Sequence, residues 1–232
     1  MAETANTGSR LDTNLWLRVP QALCLVLFPL SFLLLSNTGL HPGYAGTPAE
    51  QIRGLAADAG RWQLVHAGLA GGSLLGLGAI LTLRSLLPRP RTVASVITAF
   101  GVVATSVLTG IFMQEAMFVP ELALACVESE AACLSSANQT FVDRFTELSL
   151  SSVPLLFQGG ALLMVTTFAL ALIALRSRVL VLRESLPVMV GATVVFLYGP
   201  GLHGVPLGLP FIGFLFMLAG FSLLAARILR TP

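Results

Sequence analysis

The sequence predicts an all-α, polytopic membrane helix bundle, and three observations predict it. Of 232 residues, 55% are hydrophobic and only 10% are charged, where a soluble domain carries roughly a quarter. The mean hydropathy is +0.86. Six stretches approach the 20 or so apolar residues that a helix needs to cross a hydrocarbon core about 30 Å thick. So few charges cannot cover a water-facing surface, which excludes a soluble enzyme and a disordered chain. A net charge of +2 leaves no basic footprint for a nucleic acid.

The six spans fall at residues 17–35, 62–83, 93–113, 153–175, 186–202 and 207–226, and short connections make residues 1–232 a single membrane domain. The first run is longer than the apolar core of a signal peptide and its leading flank is weakly basic, so it is read as a retained helix. In the second span, Gly68, Gly72 and Gly76 form overlapping small-xxx-small steps, which predict a tightly packed face within the bundle. Turning 100° per residue puts His66 on roughly the opposite side, above Ala70, Ser73 and Leu77. Gly199, Pro200, Gly201, Gly204 and Pro206 break what would otherwise be one long helix into the fifth and sixth spans. Cys24, inside the first span, reads as a small hydrophobe.

Spacing also suggests a duplication. His66 to Arg84 and Gln158 to Arg176 are both eighteen-residue steps, each followed by a short basic loop and a helix with an internal glycine, Gly101 or Gly191. The second–third and fourth–fifth spans therefore read as a duplicated hairpin running in parallel, against the alternative that apolar helices resemble one another by chance.

Orientation follows from arginine, because the chain has no lysine. With the N-terminus inside, Arg10, Arg18, Arg84, Arg89, Arg91, Arg176, Arg178, Arg183, Arg227 and Arg230 are cytoplasmic, and only Arg53, Arg61 and Arg144 are external. This bias places both termini in the cytoplasm. The longer loops, 39–61 and 116–152, are then external, the second of them acidic through Glu121, Glu128, Glu130, Asp143 and Glu147. Cys126 and Cys133 lie in it, on the side where disulfides persist, and a bridge between them requires a turn, since seven residues of continuous helix separate two positions by about 10.5 Å. Phe141, Val142, Phe145 and Leu148 share one face, which predicts a short amphipathic helix on the membrane surface. Asn138-Gln139-Thr140 matches a glycosylation sequon, relevant only in a eukaryotic secretory pathway.

Ionisable residues in spans are functional candidates by default. His66 sits about one turn inside the outer boundary, Glu115 closes the third helix at the same level, and His41 and His203 lie in outer connections. Gln114, Gln158 and Tyr198 are secondary members, and the cytoplasmic ends carry arginine with no comparable residue. Three imidazoles and a carboxylate suit zinc or copper, although no His-x-x-x-His or His-Glu-x-x-His pair is present. Haem is a weaker fit, because only His66 is securely inside a helix. His66 and Glu115 also form an acid–base pair for an outer-leaflet enzyme, provided that their side chains lie within about 8 Å. The bland alternative is that His66 bonds to a neighbouring helix while the others face water or headgroups. The midplane holds Ser73, Thr105, Ser106, Thr166 and Thr167 but no charge, which argues against alternating-access transport. Phe211, Phe214, Phe216 and Phe221 in the last helix offer a face for a partner subunit or for lipid.

The succession His41-Pro42, Arg61-Trp62-Gln63-Leu64-Val65-His66 and Gln114-Glu115, together with Leu202-His203-Gly204-Val205-Pro206-Leu207-Gly208, resembles small uncharacterised membrane proteins of high-GC bacteria. The resemblance covers nearly the whole chain apart from the loop with Cys126 and Cys133. It implies a six-helix bundle in a bacterial cytoplasmic membrane and no particular activity. The expectation is a membrane protein that binds a metal ion, a cofactor or a small lipid-like ligand at a site open to the extracytoplasmic face. The rivals are a membrane-embedded enzyme using the same residues and a structural subunit of a membrane complex.

Overall fold

The computed structural model describes residues 8–37, 48–87, 92–128, 139–198 and 208–230, with side chains at 16–35, 50, 52–87, 92–128, 154–197 and 209–230. Among them all regular structure is helical: α1 (Gly8–Asn37), α2 (Pro48–Ala57), α3 (Ala59–Leu86), α4 (Thr92–Glu128), α5 (Gln139–Arg176), α6 (Leu182–Tyr198) and α7 (Gly208–Arg230). Five helices have apolar stretches long enough to cross a membrane: Trp16–Leu35 of α1, all of α3 and α4, Pro154–Arg176 of α5 and Leu209–Arg230 of α7. The chain is thus a helical, multi-pass membrane protein. Helix α6 has 17 residues and packs between α5 and α7.

The six longer helices close into a ring in chain order. Each packs on its sequence neighbours, α7 returns to pack on α1, and α2 lies against α4 and α3. Short connections between antiparallel neighbours produce this order. The centre is filled by rings from non-adjacent parts of the chain. Phe32 of α1 stacks on Phe214 of α7 with centroids 5.3 Å apart and meets Phe112 of α4 edge-on at 6.2 Å. Phe28 lies 5.8 Å from Phe32 and 6.5 Å from Phe221. Two of the four phenylalanines of the last helix, Phe214 and Phe221, are therefore core residues, and Phe216 is exposed.

Glycine sets how closely the helices approach. The stripe Gly68, Gly72 and Gly76 receives α1: a Cβ at Gly68 would lie 2.6 Å from Leu35, one at Gly76 would lie 3.0 Å from Phe28, and one at Gly72 would strike Ser31. The small-xxx-small reading of α3 thus finds its partner in α1. A second glycine contact joins α6 and α7 backbone to backbone. A Cβ on Gly213 would lie 2.9 Å from the Gly191 carbonyl, and one on Gly220 would lie 2.7 Å from the Glu184 carbonyl.

Two expectations for the region 116–152 are corrected. Helix α4 does not end near Met113 but runs unbroken to Glu128, 37 residues or about 55 Å. The extension past Glu115 persists because Ala116, Val119, Ala123 and Cys126 recur at helical spacing and are buried. Val119, Ala123 and Cys126 pack on Ile52 and Leu55 of α2 in a second, smaller core. Polar Gln114-Glu115 is not a helix end. Likewise, residues 141–148 are not a separate surface helix but belong to the first turns of α5. The loop 39–61 also contains a helix, α2, and α3 begins at Ala59.

Candidate functional site between α3 and α4

His66 is 5% exposed, held near the start of α3 by bonds within its own turn. Its Nδ1 lies 3.0 Å from the Trp62 carbonyl oxygen, one turn earlier. A carbonyl can only accept, so Nδ1–H donates and the lone pair of the neutral ring resides on Nε2. Metal-ligating and basic histidines are commonly held in this way, one nitrogen on a backbone oxygen and the other presented to the ligand. The imidazole stacks on the Trp62 indole, with centroids 4.1 Å apart and planes 23° apart. On the inner side lies Phe112, 6.4 Å away.

Trp62 also reaches the neighbouring helix. Its Nε1–H donates to the Glu115 carbonyl oxygen at 2.9 Å. This bond sets the axial register of α3 against α4 and brings the Glu115 backbone to the indole on which His66 stacks. Glu115 and Gln114 are half-buried, and Gln158 on α5 is exposed. His41, His203 and Cys133, like the Tyr198 side chain, lie outside the described residues. Among the described residues no three His, Cys, Asp or Glu side chains converge as a metal site. Cys126 is buried in the small core with α2, and Cys24 is a free thiol beside Gly78.

Below this level three buried hydroxyls bond within their own helices. Ser73, Thr105 and Thr167 are buried and donate to the carbonyls of Leu69, Gly101 and Leu163, each four residues earlier. These bonds satisfy the hydroxyls within one helix, whereas the buried Thr109 hydroxyl of α4 has no hydrogen-bond partner among the described residues. Continuous ring contact instead leads inward from Trp62 through His66, Phe112 and Phe32 to Phe214.

The opposite end, where the sequence suggests arginine alone, holds a buried carboxylate. Glu184, in the first turn of α6, is 1% exposed. Its carboxylate pairs with Arg227 of α7 at 3.2 Å, and Oε2 accepts the Val181 N–H at 3.3 Å. Each charge sits at the helix end that favours it, the anion at an N-terminus and the cation in a last turn. The arginine-rich end is therefore not devoid of buried ionisable groups. The signal was present: Glu184 is the sole carboxylate in the segment Arg176–Arg183 and its flank, directly before an apolar run. No family model, curated protein or solved structure matches the chain.

Proposed function

We propose that this protein binds a metal ion, a cofactor or a small lipid-like molecule at a site open to the extracytoplasmic face and centred on His66 and Glu115. The observation that carries the reading is the pinned imidazole: a buried ring whose Nδ1–H is spent on the Trp62 carbonyl and whose basic nitrogen is Nε2. Within the same reading His41 and His203 complete the ligand set from the outer connections, with zinc or copper as the metal. The topology proposed is six spans with both termini inside. It is supported by the closed antiparallel order of the ring and by α6, whose 17 residues lie at the lower limit for a crossing. A bacterial cytoplasmic membrane suits the all-arginine basic complement. A hairpin duplication is proposed as well, supported by Gly101 and Gly191 each standing tenth in its helix. A Cys126–Cys133 bridge is proposed for the outer end. Its support is that Cys126, unlike Cys24, is not a free thiol.

Metal analysis and an absorption spectrum of the purified protein test the site, with His66→Ala beside the wild type. Bound zinc, copper, haem or a copurifying lipid-like molecule that falls roughly tenfold or more in the variant is the expected result. A wild type that carries none of these overturns the binding reading. A second, structural reading is favoured by the aromatic packing of His66 between Trp62 and Phe112. It expects His66→Phe to keep full thermal stability with no ligand in either form.

A further inference from the structure

We propose that the groove at the arginine-rich end of α3 and α4 is a binding site for the headgroup of an anionic phospholipid. The groove is open, measures about 370 Å³ and is lined by Leu81, Arg84 and Ser85 of α3 and by Leu87 at its C-cap. Leu81, Arg84 and Ser85 stand at i, i+3 and i+4 and so share one face of α3. Leu87, 3% exposed, lies where the helix closes, its N–H bonded to the Arg84 carbonyl. The guanidinium of Arg84 is held in place: Nη2 donates to the Ser95 hydroxyl at 3.1 Å, at the first turn of α4. That position combines a cation with the positive end of a helix, and most of the planar donor fork remains for a second partner. Among the described residues no carboxylate pairs with Arg84, in contrast to Arg61 with Asp58 and Arg227 with Glu184.

What distinguishes a lipid from a free anion is the surface beside the charge. Leu81 is 48% exposed one turn deeper on α3, and Val93 and Val96 are exposed on the adjoining turns of α4. A phosphate on Arg84 would therefore have acyl chains lying along apolar helix surface directly below it. Arginine recognises phosphate through paired N–H bonds, and basic pockets between transmembrane helices are characteristic lipid-headgroup sites. The site is at the far end of α3 from His66 and stands independently of any ligand there.

The test compares wild type and variants in phosphatidylcholine nanodiscs doped with phosphatidylglycerol, reading by native mass spectrometry which lipid remains on the protein. Wild type should retain phosphatidylglycerol in excess of its share of the bilayer. Arg84→Gln should lower that enrichment about fivefold, the worth of one arginine near a charged surface. Ser85→Trp, at an exposed position that leaves every charge in place, should do the same by filling the groove. Arg230→Gln, on α7 across the ring, should leave the enrichment unchanged. The proposal is overturned if both groove variants retain wild-type enrichment, or if Arg230→Gln lowers it as much as they do. It is also overturned if inorganic phosphate alone, in undoped nanodiscs, stabilises wild type as fully as phosphatidylglycerol does.

Discussion

Trp62 does two jobs with one side chain: its face supports the His66 imidazole and its edge bonds to the Glu115 carbonyl. Those functions separate on mutation. Trp62→Phe keeps an aromatic face but leaves the Glu115 carbonyl without that donor, so thermal unfolding in detergent should show a loss of about 1 kcal/mol. Trp62→Ala removes both and should cost about 3 kcal/mol or more. The other residue-scale asymmetry lies at Glu184. Its carboxylate is 1% exposed, while its partner Arg227 is 36% exposed. Arg227→Gln strands a buried charge and should cost about 3 kcal/mol, whereas Glu184→Gln leaves a cation that rehydrates and should cost markedly less. Equal losses in the two variants would mean that the pair is not what holds this end together.

At the scale of elements, glycine decides which helices touch. The contact of α6 with α7 is between backbones, so an added methyl meets main chain that cannot swing aside. Gly191→Ala should lower stability by about 2 kcal/mol through overpacking. Gly71, with nothing within 4 Å of its would-be Cβ, is the matched control. Gly71→Ala should be neutral or stabilise by up to about 1 kcal/mol, since alanine is the better helix former. Unfolding midpoints of the two variants check this directly. The same scale explains the extended α4. The sequence marks Gln114-Glu115 as a boundary because polarity rises there, but a helix ends only where it lacks something to bury. Val119, Ala123 and Cys126 have Ile52 and Leu55 of α2 to bury against, and even Pro120 is accommodated within the helix.

For the whole molecule, the ring order carries a topological prediction. Closure of six antiparallel helices puts the α3–α4 and α5–α6 turns at one end, with the extension of α4 at the other. In intact cells a membrane-impermeant maleimide should label a cysteine placed at Glu128 and leave one placed at Ser177 unlabelled until the membrane is opened. The reverse pattern would invert the proposed orientation. The small core of α2 and α4 stands at one end of the bundle and the Glu184–Arg227 pair at the other, so the two ends differ in build. One has a folded cap above an aromatic-lined histidine, and the other has arginines and a buried ion pair.

Membrane class and helical content were written in composition and run length, because the bilayer demands long apolar helices whatever their partners. His66 and the stripe Gly68, Gly72 and Gly76 were legible for a related reason: a titratable or a small residue in a span is costly or conspicuous by itself. Which helix fills that stripe was not legible, since α1 and α3 meet through residues whose sequence carries no mark of each other. Nor was the role of Phe214 and Phe221, which could face lipid or core with the same hydropathy. The bond from Trp62 to Glu115 and the pairing of Glu184 with Arg227 join residues 53 and 43 positions apart. Such contacts depend on helix register and ring closure, which packing sets after the chain has folded, so only the tertiary structure could decide them.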